Sequence, residues 1–313
     1  MPKNSDLIIL CGGANPELSY NISKSLNKNL GEMEVGHFSD GEIRIKINSN
    51  VRGKDVFILQ PTISPYSENI MRLLLIIDAV RRASAKRITA VIPYYAYSRQ
   101  EKKSQGREPI AAKLVANLLV KSGADRVMAM DLHASAIQGF FDIPLDHLTA
   151  VNILAEYFIE KNMNDCVVVS PDAGGTARAR SFARILNCNL AIIDKRRPRP
   201  NEAEIMNIIG DVKDKIAIIV DDIIDTAGTM TKAAKALINN GAKKVFAACT
   251  HGVLSGPAVE RINNSMITEL VITDTIPLKE KKLSNVKVLS VAPILSEAIY
   301  RVHNDYSISE LFQ

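Results

Sequence analysis

The sequence predicts an α/β protein built from two tandem domains, each a mainly parallel sheet flanked by helices. One observation is an internal repeat, because the segment from Leu7 matches the segment from Cys166 at an offset of roughly 160 residues. Another is that apolar runs of strand length alternate with amphipathic segments of helix length. Such alternation favours parallel strands with right-handed crossovers, and ligands then bind beyond the carboxyl ends of the strands. We expect the domains to be 1–147 and 148–313.

Three pairs of matching segments justify the elements in chain order. In the first pair, each segment reads as a strand, a glycine-containing turn and an amphipathic helix. In the second, GKDVFILQPTI from Gly53 aligns with DKIAIIVDDII from Asp214, and each contains a buried strand. In the third, ASAKRITAVIPYY from Ala83 aligns with NGAKKVFAACTHG from Asn240, and each is a helix end followed by a strand. The sequence therefore predicts two copies of one α/β unit.

Composition indicates a folded globular protein that binds small anions. Of the 313 residues, 47% are hydrophobic and 23% are charged, as in ordinary globular enzymes. The net charge of +5 comes from scattered basic groups without aromatic interleaving, so we expect no nucleic-acid partner. No apolar run approaches the ~18 residues of a membrane span and no signal peptide is evident, so we expect a cytoplasmic protein without a membrane partner. The cysteines lie singly without CxxC spacing, which predicts buried thiols rather than a zinc site or a disulfide framework: Cys11, Cys166, Cys188 and Cys249.

The string VDDIIDTAGT, residues 220–229, is typical of a sugar-phosphate site. Residues 216–220 read as a buried strand and 230–239 as a helix, which makes 225–229 the turn between them. The N–H groups and positive end of a helix bind phosphate, and Gly228 permits close approach of the backbone. The sequence therefore predicts a phosphate cradle at this turn.

Two carboxylates, Asp221 and Asp222, precede the cradle, and two hydroxyls, Thr226 and Thr229, add donors to it. The acids either accept hydrogen bonds from vicinal ribose hydroxyls or hold a cation that does so. The alternative is a capped helix after a strand, with carboxylates that are merely solvated. The first copy has LQPTISPYSENI at the matching place, without paired acids or glycine, so only the second half is expected to bind ribose phosphate.

This string resembles the phosphoribosyl-diphosphate motif of type I phosphoribosyltransferases, and the rest of the chain narrows the resemblance. Five further motifs occur earlier in the chain, in the order found in one family, the ribose-phosphate diphosphokinases or phosphoribosyl pyrophosphate synthetases. The likeness covers residues 7–312. The motifs are FSDGE at 38–42, YSRQ at 97–100, DLH at 131–133, PDAGG at 171–175 and DKRRPRP at 194–200.

The resemblance implies two phosphoribosyltransferase-like domains and a reaction. The β,γ-diphosphoryl group of Mg-ATP passes to the anomeric hydroxyl of ribose 5-phosphate, giving 5-phospho-α-D-ribose 1-diphosphate and AMP for nucleotide, histidine and tryptophan biosynthesis. The implied ribose 5-phosphate contacts are Arg197, Asp221, Asp222, Asp225, Thr226, Ala227, Gly228 and Thr229. The implied ATP contacts are Phe38, Asp40, Gly41 and Glu42 of one subunit with Arg99 and Gln100 of its neighbour. FSDGE alone fits a hairpin turn equally well.

The basic string DKRRPRP is the candidate catalytic arm. The chain has neither GxxxxGK[ST] nor GxGxxG, so ATP must be held by other means, and diphosphoryl transfer needs charge neutralisation and in-line positioning. Pro198 and Pro200 disfavour regular strand pairing and favour an exposed arm. The resemblance implies that Lys195 and Arg197 stabilise the transition state. A solvated basic loop is the alternative.

Magnesium is the implied cofactor, with two sites, and His133 and Asp172 occupy the family's metal positions. Asp172 offers the oxygen that Mg²⁺ prefers, whereas His133 is either a direct ligand or a water-mediated group. Asp131 either orients His133 or caps the turn.

Family resemblance also implies homodimers that assemble into a hexamer, with inorganic phosphate as activator and ADP as inhibitor. Candidates for that regulatory site are Arg82, Ser307, Ser309 and Phe312. Two alternative functions would also be expected of a chain with this cradle. A phosphoribosyltransferase would leave FSDGE, YSRQ and DKRRPRP without purpose, and a non-catalytic regulatory subunit would be expected to lack Lys195, Arg197 or the cradle acids.

Overall fold

The computed structural model describes residues 7–163, 165–196 and 205–312. The chain divides into two compact units by its internal contacts. The first contains the described residues up to Leu148 together with those from Ser290 onward, and the second is Thr149–Leu289. Each unit is described by itself.

The first unit is built on a five-stranded sheet in the order β1-β4-β5-β6-β7, parallel throughout. A separate antiparallel hairpin pairs β2 with β3. The elements are β1 (Leu7–Cys11), α1 (Pro16–Ser25), β2 (Met33–His37), β3 (Ile43–Ile47), β4 (Asp55–Leu59), α2 (Tyr66–Arg82), β5 (Arg87–Ile92), α3 (Ala111–Ser122), β6 (Arg126–Met130) and β7 (Leu145–Leu148), with a 3-10 turn at Ser135–Phe140.

The second unit is built on a seven-stranded sheet in the order β10-β9-β8-β11-β12-β13-β14 over its described residues. All neighbours are parallel except β10, which runs antiparallel to β9. The elements are α4 (Val151–Glu160), β8 (Cys166–Ser170), α5 (Thr176–Ile185), β9 (Asn189–Arg196), β10 (Ile205–Ile209), β11 (Ile216–Ile224), α6 (Gly228–Asn239), β12 (Lys244–Gly252), α7 (Ala258–Asn263), β13 (Ile267–Thr273) and β14 (Val286–Leu289).

Strand order reproduces the internal repeat. In the first unit β1 pairs with β4 and β4 with β5, and in the second unit β8 pairs with β11 and β11 with β12, all in parallel. The sequence repeat aligns β1 with β8, β4 with β11 and β5 with β12, so the two units pair corresponding strands in the same order. The predicted fold class, two tandem mainly parallel α/β domains, is confirmed.

Both cores follow from the sequence pattern. All five residues of β4 are buried, as expected for a parallel strand covered by helices on both faces. In the second unit, α6 buries Met230, Ala233, Ala234 and Leu237, which share one face of the helix at i, i+3, i+4 and i+7. That face packs in the same core as β11, so the helix after the cradle is fixed to the sheet.

The C-terminal segment differs from the predicted domain division. Helix α8 (Ala292–His303) packs against α1, and a 3-10 turn follows at Ser309–Phe312. The buried His303 Nδ1 lies 2.8 Å from Asp55 Oδ2, and Arg87 Nε donates to Asp55 Oδ1 at 2.9 Å. A buried carboxylate needs such partners, which ties this segment to β4 of the first unit. The predicted domain 148–313 had placed it in the second.

Two of the four cysteines are bonded, so the prediction of four thiols is wrong for them. Cys166 and Cys188 form a disulfide with their Cα atoms 5.9 Å apart. They flank the register pair Val167 and Asn189 of the neighbouring strands β8 and β9, a proximity that their separation of 22 residues hides in the sequence. Cys249 is a buried thiol and Cys11 a half-buried one. None of the helices described is long and apolar enough to cross a membrane.

Candidate active site

The acid pair lies inside strand β11 rather than after it. The sequence predicted a strand ending at residue 220, but pairing with β12 continues to Ile224, which is opposite Gly252. Asp221 is partly exposed, whereas Asp222 is only 3% exposed. A buried carboxylate of this kind requires a charged partner.

Arg178 of α5 is that partner, and sequence reasoning did not identify it. Its Nη1 lies 3.4 Å from Asp221 Oδ1 and 3.1 Å from Asp222 Oδ1. The N–H of Asp222 also donates to Asp221 Oδ1 at 2.9 Å. Burial, followed by the adjacent Asp222 carboxyl, raises the pKa of Asp221 to about 8 in spite of the guanidinium. Two neighbouring acids therefore share one cation, and the pair holds a proton readily near neutral pH.

The residues of the predicted phosphate cradle form the turn after β11, as expected, with one difference in where the next helix begins. Helix α6 begins at Gly228, two residues before the predicted start, and its N-cap is Ala227 in a left-handed conformation with φ +59°. An alanine has no side-chain acceptor, and no side-chain hydrogen bond caps this helix. The first N–H groups of a helix lack acceptors within it, and without a capping side chain they could donate to an anion.

Two more residues that the sequence did not single out contact this turn. The Ser255 hydroxyl hydrogen-bonds the Asp225 carboxylate, and Ser255 N donates to Asp225 O at 2.9 Å. Arg261 Nη1 donates to the Thr226 carbonyl at 3.0 Å. Both come from the segment after β12, so the turn is bounded on one side by β11 and on the other by this segment.

Asp172 lies in the turn after β8, the strand next to β11. The Ser170 hydroxyl donates to Asp172 O at 2.7 Å, and the N–H of Gly175 donates to Asp172 Oδ1 at 2.9 Å. A Cβ on Gly175 would lie 3.0 Å from Ser170 Oγ, so a larger residue would crowd this compact turn. Because parallel strands end at one edge of a sheet, Asp172 and the acid pair share an edge.

In the first unit, residues 38–42 form the tip of the hairpin between β2 and β3. Phe38 N donates to Glu42 O at 2.8 Å, Gly41 has φ +94°, and Asp40 Oδ1 accepts from the N–H of Glu42 at 3.1 Å. The hairpin turn considered from the sequence is thus the observed structure. Phe38 is 52% exposed, which leaves its ring available to a flat ligand.

The remaining residues proposed for this unit follow parallel strands. Arg99 and Gln100 are exposed after β5, in a turn where Gln100 N donates to Tyr97 O at 2.9 Å. His133 is exposed after β6, as predicted, and the neighbouring Leu132 N donates to His147 Nε2 at 2.9 Å. His133 belongs to the first compact unit and Asp172 to the second.

The basic arm is described only in part. Strand β9 includes the backbone of Lys195 and Arg196, which pair with Met206 and Ile205 of β10. Arg197, one of the two proposed catalytic residues, lies outside the described residues, as does the rest of the arm to 204. Regular pairing therefore continues two residues beyond Asp194.

No group of three or more His, Cys, Asp or Glu side chains in the described part of the chain is arranged to hold a metal ion. The donor chemistry nevertheless fits magnesium. Mg²⁺ is held in proteins by one or two carboxylates together with water and substrate phosphates, and Asp172 is an exposed carboxylate at the edge of the sheet.

Two parallel α/β units, with an acid pair and an uncapped glycine turn at the carboxyl edge of the second, define a protein of the tandem phosphoribosyltransferase-like class. Comparisons with known proteins narrow this class. Residues 7–123 match a family model described as the N-terminal domain of ribose phosphate pyrophosphokinase. Residues 195–313 match one described as a phosphoribosyl synthetase-associated domain. The chain belongs to the ribose-phosphate pyrophosphokinase family.

Individual relatives agree along the full length. The chain is 58% identical over 311 residues to a ribose-phosphate pyrophosphokinase of Oceanobacillus iheyensis, covering 99% of this chain and 98% of the relative. It is 59% identical over 314 residues to one from Clostridium perfringens, with the same coverage. A crystal structure of phosphoribosylpyrophosphate synthetase from Mycobacterium smegmatis superposes with a TM-score of 0.91 at 42% identity, covering 96% of this chain and 100% of that one. The family predicted from the motifs is confirmed.

Proposed function

We propose that the chain is a ribose-phosphate diphosphokinase. It transfers the β,γ-diphosphoryl group of ATP to the anomeric hydroxyl of ribose 5-phosphate. The sugar oxygen bonds to the β-phosphorus, the bond from that phosphorus to the α–β bridging oxygen breaks, AMP leaves, and the hydroxyl proton is released. The observation that carries this function is full-length identity of 58–59% to enzymes named for it.

Ribose 5-phosphate binds to the second unit in this proposal. The first N–H groups of α6 and the Thr226 and Thr229 hydroxyls hold the 5-phosphate, since these donors surround an uncapped helix start. Asp221 and Asp222 accept hydrogen bonds from the ribose hydroxyls, and sugar donors at this edge favour the ionised form of Asp221, which burial disfavours by raising its pKa. The full set of contacts is Arg197, Asp221, Asp222, Asp225, Thr226, Ala227, Gly228 and Thr229.

ATP binds to loops that the first unit presents. The exposed Phe38 ring stacks on the adenine, and the hairpin tip supplies polar groups beside it. Arg99 and Gln100 come from the neighbouring subunit and contact the nucleotide from the other side. The proposed contacts are Phe38, Asp40, Gly41, Glu42, Arg99 and Gln100.

Charge neutralisation is assigned to the arm and to magnesium. Lys195 and Arg197 carry the positive charges that stabilise the transferred group in the transition state, where charge spreads over its oxygens. Asp172 and His133 are the proposed Mg²⁺ positions, Asp172 as an oxygen ligand. When bound, Mg²⁺ would neutralise the nucleotide phosphates and orient them for in-line displacement.

An oligomer fits the exposed apolar surface of the first unit. Ile110, Leu114 and Leu118, four residues apart at and after the start of α3, are 38%, 57% and 41% exposed. A stripe of this kind is typical of a subunit interface and supports homodimers that assemble into a hexamer. We also propose a cytoplasmic location and activation by inorganic phosphate. The proposed regulatory site lies near Arg82, Ser307, Ser309 and Phe312, and Arg82 Nε donates to Asp78 Oδ2 at 2.7 Å.

The non-catalytic regulatory subunit is not favoured. The cradle acids are present and held by Arg178, and the full-length relatives cited are named as pyrophosphokinases. Purified chain with Mg-ATP, ribose 5-phosphate and phosphate distinguishes the possibilities by ion-pair chromatography of the nucleotides. Ribose-dependent release of AMP is expected. Release of ADP would mean a simple kinase, and no turnover would favour the regulatory subunit.

A further inference from the structure

The backbone of the cradle is held by an unbroken series of hydrogen bonds to its carbonyl groups. Each carbonyl from Ile224 to Ala227 accepts a bond from a backbone N–H or a guanidinium, and the Thr231 hydroxyl adds a second to Ala227 O at 2.9 Å. The donors, in chain order of the acceptors, are Leu254 N at 2.9 Å, Ser255 N at 2.9 Å, Arg261 Nη1 at 3.0 Å and Thr231 N at 3.0 Å. Because the N–H and C=O groups of a planar trans peptide unit point in opposite directions, holding these carbonyls also holds the N–H groups of the same peptide units.

The cradle needs this support because its conformation is costly. Ala227 has φ +59°, a left-handed conformation that costs a residue with a Cβ about 1 kcal/mol or more. Such residues persist where the surrounding structure holds them. Here the surroundings are the first turn of α6 on one side and the segment Leu254 to Arg261 on the other.

Arg261 reaches its carbonyl through a side chain from outside helix α6, and its contact is at the centre of the turn. Its guanidinium donates to the Thr226 carbonyl, and a Cβ on Gly228 would lie 3.3 Å from Arg261 Nη1. The guanidinium therefore lies against the residue at which α6 begins. Ser255 supports the other end of the turn through both its N–H and its hydroxyl, which hold the Asp225 main chain and carboxylate.

We propose that Ser255 and Arg261 are positioning residues that hold residues 225–229 in the conformation that binds the 5-phosphate of ribose 5-phosphate. This inference rests on the proposed function. Neither residue contacts the reacting atoms in this account. They hold the N–H groups in place before the sugar phosphate binds. Binding then needs no further free energy to order the turn, so the affinity is higher.

The chain provides a matched control for charge. Arg261 also lines a cleft of about 530 Å³ between α6 and α7, together with Lys235. Lys235 is exposed and makes no hydrogen bond or ion pair with the described residues of the turn. Lys235→Ala removes the same charge from the same cleft and leaves the carbonyl contact intact.

The test is steady-state kinetics with calorimetric binding of ribose 5-phosphate. Arg261→Ala is expected to raise the KM and Kd for ribose 5-phosphate about ten-fold, the effect of losing one charge-assisted hydrogen bond. The KM for ATP should change less than about two-fold, as should every constant of Lys235→Ala. Arg261→Lys should recover part of the affinity, and added guanidinium ion should partly rescue Arg261→Ala. Ser255→Ala should also weaken the binding of ribose 5-phosphate without a comparable change in the KM for ATP.

Thr229→Val, a change in the cradle itself, separates failure of this inference from failure of the proposed site. Weakened ribose 5-phosphate binding in Thr229→Val, with normal binding in Arg261→Ala, would overturn the positioning role and leave the site in place. Normal binding in both variants would overturn the site as well. Equal loss of affinity for both substrates in Arg261→Ala, without rescue by guanidinium, would show a general structural defect and also overturn the positioning role.

Discussion

Replacing Arg178 by methionine tests how the acid pair is held in the folded protein. The guanidinium lies 3.1 Å from Asp222 and is 18% exposed, while the Asp222 side chain is 4% exposed. At an effective dielectric constant of 20, two unit charges at that distance attract each other by roughly 5 kcal/mol. Desolvation of both groups offsets part of this, but removing one partner leaves the other buried and unpaired, which costs about 3 kcal/mol.

For a domain of this size, that cost lowers the melting temperature by roughly 6–12 °C. The assay is thermal unfolding without ligands, with Arg180→Met as a control because Arg180 is an exposed residue of the same helix. Adding Asp222→Asn to Arg178→Met should recover most of the loss, because the unpaired charge is gone. The deficit should also shrink at pH 5, because Arg178 lowers the pKa of Asp221 and its removal favours the protonated acid. A fall in melting temperature smaller than about 1 °C for Arg178→Met, or no recovery in the double variant, would refute the reasoning.

Four further changes have defined outcomes. The pKa of Asp221 is raised to about 8, so the folded state binds an extra proton between about pH 4 and 8. The stability of the ligand-free protein should therefore fall as pH rises through that window. Melting temperatures measured over a pH series should show this fall, and Asp221→Asn should flatten it. Lys195→Ala should lower kcat at least ~100-fold while calorimetry shows ribose 5-phosphate binding retained, and unchanged turnover would remove Lys195 from catalysis. Gly175→Ala would place a Cβ 3.0 Å from Ser170 Oγ, so it should raise the KM for Mg²⁺ by displacing Asp172; an unaltered magnesium titration would contradict this. Gly41→Ala should destabilise the hairpin tip by about 1 kcal/mol because of the φ of +94°, and it should raise the KM for ATP but not for ribose 5-phosphate. Gly139→Ala is the control, because a Cβ meets open space at both glycines but Gly139 does not have a positive φ.

The sheet architecture could be predicted because its signals are local. Buried parallel strands are short continuous apolar runs, and the repeat placed β8, β11 and β12 in correspondence with β1, β4 and β5 before their pairing was known. The ends of elements were less accurate. Strand β11 continues through Ile224 because pairing with β12 outweighs two charged residues, and a sequence pattern does not reveal that pairing.

The residues that the sequence did not reveal were missed for a different reason, because they lie far along the chain from the residues that they contact. Arg178 reaches Asp221 across 43 residues, and Arg261 reaches Thr226 across 35. Which of several arginines on an amphipathic helix faces a neighbouring strand depends on packing between elements, so composition alone did not distinguish Arg178 from Arg180. The contact between His303 and Asp55, 248 residues apart, placed α8 in the first unit for the same reason.

The central claim is that the turn 225–229 of the second unit binds the 5-phosphate while Asp221 and Asp222 face the ribose. A crystal structure of the chain with ribose 5-phosphate tests it most directly. The account predicts phosphate oxygens within hydrogen-bond distance of the first N–H groups of α6, and ribose hydroxyls within reach of the acid pair. Ribose 5-phosphate bound at another site, with this turn unliganded, would contradict it.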